Sequence, residues 1–102
     1  MLRGCPVGRL TGDPDVIASD ALREPVRETF AVFHECLARA VAEGAAADEF
    51  EAGLDPEQTA STLAAVIQGG YALARAEGSA EPFDRAVRGV LALLQVSSPT
   101  RR

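Results

Sequence analysis

The sequence predicts an all-α fold, an antiparallel helical bundle, and three observations predict it. Apolar residues recur at steps of three and four through three extended segments. Pairs such as Asp55-Pro56 and single residues such as Gly78, which open and close helices, stand at the segment ends. No run alternates apolar and polar residues for long enough to make a strand.

Taken in order, residues 1–19 mix Gly4, Pro6, Gly8, Gly12 and Pro14 with a few apolar residues. That mixture admits at most one short helical turn around Val7 to Leu10. Ser19 or Asp20 then caps a helix whose stripe Leu22, Val26, Phe30, Phe33, Leu37 and Val41 lies along one face. Pro25 is tolerable only near the start of that helix, and Gly44 is read as its end. In Asp55-Pro56-Glu57-Gln58 the aspartate suits the N-cap, the proline the first helical position, and Gln58 the closure of a capping box. The segment 59–76 is apolar nearly all round: Leu63, Ala64, Ile67 and Tyr71 mark one face, Val66, Leu73 and several alanines the others. Gly78 and Ser79 interrupt it, and Pro82 starts a last helix with Phe83, Val87, Val90, Leu91 and Leu94 inward and Asp84, Arg85 and Arg88 toward water. The whole is one domain, 1–102, with loosely structured ends at 1–19 and 97–102.

Composition excludes several functions. The net charge is −5, which opposes binding to phosphate, because nucleic-acid affinity comes largely from basic side chains displacing counterions. The charge-free stretch 58–74 is short for a bilayer span and contains Gln68, Gly69 and Gly70, so it is read as a buried helix and no membrane partner is expected. The region around Met1 lacks the apolar run of a signal peptide; a cytoplasmic chain with Cys5 and Cys36 reduced is expected.

A middle helix with almost no polar side needs more cover than two neighbours easily supply, and a second copy can supply it. The helices from Pro56 and Pro82 would pack on their symmetry mates as a four-helix bundle about a two-fold axis. The small residues Ala65, Gly69, Ala72 and Ala76 permit close approach, and Gln68, Leu73, Val87, Val90, Leu91 and Leu94 complete the expected interface. The same small residues could instead admit neighbouring helices within one monomer.

Several segments together carry a family resemblance: Gly4-Cys5-Pro6-Val7-Gly8, then Ala42-Glu43-Gly44, then Asp55-Pro56-Glu57 leading into Val66-Ile67-Gln68-Gly69-Gly70-Tyr71-Ala72-Leu73-Ala74-Arg75-Ala76. The pattern resembles the C-terminal, ligand-sensing domain of TetR-type transcriptional repressors, over nearly the whole chain. The resemblance implies that the last two helices form the dimer and that an apolar effector pocket lies among the helices. Residues assigned to that pocket are Phe30, Phe33, His34, Leu37, Ile67, Gly70 and Tyr71. Such repressors begin with a helix-turn-helix head of about fifty residues. Nothing in 1–102 supplies one, so DNA would be reached only through that missing head, and the chain is expected to be a fragment or a headless protein. Pro6 and Arg9 also depart from the usual pattern, which is expected to distort the first short helix.

Each pocket residue has a plainer reading. His34 could donate to an effector or be a half-exposed, backbone-bonded histidine. Tyr71 offers an aromatic wall with a polar tip, or is a core tyrosine with its hydroxyl at the surface. Phe30, Phe33 and Leu37 could line a pocket or be plain core. Catalysis finds no support. Consecutive positions in His34-Glu35-Cys36 point about 100° apart and cannot converge on a metal or substrate. Ser61 and Ser79 lack a nucleophile elbow, Glu24 and Glu28 sit among Arg23 and Arg27 as a solvated face, and neither Gly44 nor Gly53 precedes a lysine. No enzyme activity, metal or cofactor is expected. The expected function is effector sensing and dimerisation in a TetR-like repressor with a small apolar ligand; the alternative is a free-standing helical interaction protein forming homo- or heterodimers.

Overall fold

A computed structural model describes residues 6–96, all-helical apart from turns, loops and one isolated bridge. The expectations for Gly4, for a Cys5–Cys36 pair and for the tail from Ser97 fall outside the described residues.

The first segment holds two short helices, α1 (Pro6–Leu10) and α2 (Pro14–Ala18), not the single turn expected. The second forms for a local reason. The carboxylate of Asp13 accepts from the Asp15 N–H at 2.8 Å, and Pro14 takes the first helical position, where its missing N–H is harmless.

Ser19 caps α3 (Asp20–Ala46), its hydroxyl accepting from the Leu22 N–H. Pro25 stands at the sixth helical residue, deeper than a proline is usually tolerated, and it leaves the Ala21 carbonyl without its helical donor. Both residues are exposed, so water can replace that bond. The predicted stripe is at least partly covered from Val26 onward, but Leu22 stays half exposed.

Gly44 does not end α3. The helix continues to Ala46, and the left-handed residue after it is Asp48, with φ of 61°. What Gly44 provides is room: a Cβ there would lie 2.6 Å from Cε2 of Phe50 and closer still to Cδ2. Gly44→Ala therefore sets a helix-propensity gain of about 1 kcal/mol against displacement of a packed ring, at about 1–3 kcal/mol. A net loss of about 1 kcal/mol in urea denaturation is expected, removed when Phe50 is also shortened to leucine.

At Asp55 the carboxylate accepts from the Glu57 N–H at 2.9 Å, and α4 (Pro56–Glu77) follows. It ends at Gly78, whose φ of 68° suits glycine, with the N–H groups of Gly78 and Ser79 both donating to the Ala74 carbonyl. The Ser79 hydroxyl then accepts from the Glu81 N–H and α5 (Glu81–Leu94) begins, with Pro82 second in it.

The long helices form a sheet-like layer, α4 packed between α3 on one side and α5 on the other, with Cα extents of 52 × 30 × 16 Å. The core is small: Val41, 1% exposed, meets Leu63, Val90 and Leu94, with Leu37, Phe50, Leu54 and Val66 packed around them. It gathers at the end of the layer where α3 turns into α4. There the connecting loop is tied to the exit from α5, the Glu51 N–H donating to the Leu94 carbonyl at 3.0 Å and the Val96 N–H to the Glu49 carbonyl at 3.3 Å. Among the described residues only seven apolar side chains are buried, three of them alanine, so much of the layer's apolar surface has no cover within the subunit.

Candidate ligand-binding site

Away from the core, α3 and α4 part enough to leave a half-open cleft of about 350 Å³. Thr29, Phe30 and Phe33 of α3 form one wall, Ile67, Gln68 and Tyr71 of α4 the other, and Phe83 closes it from the first turn of α5. Spacing accounts for both walls: positions three and four apart share a helix face, so each helix presents three consecutive contacts. Four of the five aromatic residues in the chain converge here, Phe50 being the exception.

The floor is preformed. Tyr71 and Phe83 stack with ring centroids 4.8 Å apart and 22° between their planes. Gly70 makes this possible, since a Cβ there would sit 2.9 Å from Cδ2 of Phe83 and 3.3 Å from its Cα. The polar content is slight: the amide of Gln68, the hydroxyl of Tyr71, and the hydroxyl of Thr29, which already donates to the Pro25 carbonyl at 2.9 Å. No ionisable side chain other than the tyrosine lines the cleft.

Of the residues expected in a pocket, Phe30, Phe33, Ile67 and Tyr71 are brought together. Three are not on its wall. Leu37 packs on the core, Gly70 lies beneath Phe83, and Nε2 of His34 pairs with Glu57 at 2.6 Å across α3 and the start of α4. Gln68, assigned from the sequence to a dimer face, lines the cleft, and Thr29 and Phe83 join it unforeseen. Phe83 was legible as inward-facing, but which partner it meets depends on the α4–α5 turn.

The face expected to pair with a second copy divides in two. Ala65, Gly69, Ala72, Leu73 and Ala76 are exposed along one side of α4, with Leu73 55% exposed. By contrast Val90 and Leu94 are buried and Val87 half-buried within the subunit, because the apolar stripe of α5 is needed by its own core. Leu91, expected inward, is exposed, and Leu93, outside the predicted stripe, is 83% exposed.

A second cleft of about 300 Å³ lies between α2 and α3, lined by Thr11, Val16, Ile17, Arg23, Val26, Arg27 and Phe30. Both arginines already have acidic partners one turn away, Asp20 and Glu24. Among the described residues no three metal-ligating side chains cluster, Cys36 is an exposed free thiol, and no helix is long and apolar enough to cross a membrane.

The family model described as "Tetracyclin repressor-like, C-terminal domain" matches residues 1–90. No curated protein and no solved structure matches the chain.

Proposed function

Since the chain belongs to the tetracyclin repressor-like C-terminal domain family, we propose that it senses a small, largely apolar effector and dimerises on behalf of a TetR-like transcription regulator. The observation that carries this reading is the cleft between α3 and α4, where most of the aromatic side chains gather around space that a plain core would fill. The cleft is half-open, and a ligand lying in it would be covered by α3, α4 and the first turn of α5.

An effector in the cleft bears on α3 and α4 together. It shifts the regulator between DNA-competent and DNA-released arrangements to the extent that it binds the two unequally. The net charge of −5 opposes phosphate binding, so recognition of an operator would belong to a separate helix-turn-helix head. Dimerisation is supported by the bare small-residue side of α4 and by the thinness of the layer, which leaves that side without intramolecular cover.

Ile67→Trp tests the sensing site, because an indole there occupies the cleft. In a thermal-shift screen of neutral apolar compounds the unmodified chain should show hits that raise Tm, and Ile67→Trp should lose them while remaining helical by circular dichroism. A screen with no hits, or hits unaffected by the tryptophan, would remove the cleft from the reading.

A further inference from the structure

We infer that the effector is uncharged, flat and aromatic, about the size of two fused rings, with a single polar edge that Gln68 binds. The inference rests on the sensing role proposed for the cleft. Three observations on the lining carry it.

The first is charge. The lining contains no Asp, Glu, Arg or His side chain, and the nearest basic groups drawn into a cleft, Arg23 and Arg27, face the other side of Phe30 and are already paired. A ligand ion would give up hydration against the walls with no opposite charge there to replace it, so charged molecules of either sign are disfavoured.

The second is shape. Tyr71 and Phe83 present a stacked slab that is already assembled, and Phe30 and Phe33 stand opposite on α3. Rings gain from further stacking and edge-to-face contact, whereas a flexible alkyl chain gains burial alone and loses rotamer freedom on binding. A volume of about 350 Å³, open on one side, suits a molecule of roughly ten to fifteen non-hydrogen atoms.

The third is polarity. Thr29 has committed its proton to Pro25, which leaves two side chains of the lining able both to donate and to accept, Gln68 and Tyr71; the amide has the larger capacity, with two N–H donors and a carbonyl. One hydroxyl or amide on the ligand pairs with this amide, whereas a polar group set against Phe30, Phe33, Ile67 or Phe83 would meet an apolar wall.

The test uses the 102-residue chain and five probes at neutral pH: 2-naphthol, naphthalene, 2-naphthoate, 2-naphthylmethylammonium and decan-1-ol. Affinities come from calorimetric or NMR titration, and the site is read from the shift of the Ile67 methyl signals. We expect 2-naphthol to bind at least tenfold more tightly than the two charged naphthalenes and than decan-1-ol. In Gln68→Leu, 2-naphthol should fall about three- to tenfold, to the affinity of naphthalene. If a charged or aliphatic probe moves the Ile67 signals at equal or lower concentration, or if Gln68→Leu leaves 2-naphthol unchanged, the ligand class is overturned while the sensing cleft stands. If no probe moves those signals, the sensing cleft itself falls.

Discussion

Leu63→Ala should lower the unfolding free energy by about 2–5 kcal/mol, enough to leave the domain partly unfolded at physiological temperature. Leu63 comes from the central helix α4 and joins α3, through Val41, to α5, through Val90 and Leu94. With so few buried side chains larger than alanine, the surroundings have little with which to refill the space. Leu93→Ala is the matched control. That side chain is 83% exposed, so its truncation should change the stability of an isolated subunit by no more than about 0.5 kcal/mol. Urea unfolding at low protein concentration checks both. Equal losses for the two variants would mean that the core is not where it is described.

Gly69→Glu should act on association and on folding in opposite directions. No atom lies within 4 Å of where its Cβ would stand, and glycine is the weakest ordinary helix former. The isolated subunit should therefore hold its stability or gain up to about 1 kcal/mol. In a two-fold dimer built on the exposed side of α4, however, each new carboxylate would meet its own copy across the axis, in a chain that already carries −5. The bulk would also hold apart helices that approach through Ala65, Ala72 and Ala76. Sedimentation should show the dimer dissociation constant raised at least about a hundredfold, equivalent to roughly 2.7 kcal/mol. A dimer of unchanged affinity would show that this side of α4 is not the contact.

Much of the fold was legible because its signals are local. Asp55-Pro56, Gly78 and Pro82 mark helix ends through chemistry confined to one turn, and the α3 stripe from Phe30 to Val41 needs only the helical period. Asp13-Pro14 carries the same chemistry as Asp55-Pro56, so α2 was readable and was obscured only by the glycines around it. Gly44 was misread for a different reason. A glycine that ends a helix and one that admits a neighbour's ring look alike until the ring, here Phe50, is located.

The site divides along the same line. Face and spacing put Phe30 with Phe33 and Ile67 with Tyr71 and left core or pocket open, the resemblance supplied the pocket, and Gln68, Thr29 and Phe83 depended on the angle at which α4 meets its neighbours. Val90 and Leu94 show the limit most clearly. An apolar stripe states that a helix face is covered, and not whether its own subunit or another copy covers it.

The tie between the 49–51 loop and the end of α5 lies beside the C-terminal end of α3, where the core gathers, whereas the first turns of α3 are met by the short helix α2, Arg23 donating to the Ile17 carbonyl. With Val41 as the fulcrum, the cleft walls at Phe30 and Phe33 act about 12–16 Å along the helix and Asp20 lies about 32 Å away. A ligand that tilts α3 by 1 Å at the cleft would swing its first turn by roughly 2 Å. Under the proposed sensing role the long helix would work as a lever with a mechanical advantage below one, giving up force to gain travel at the end that α2 precedes.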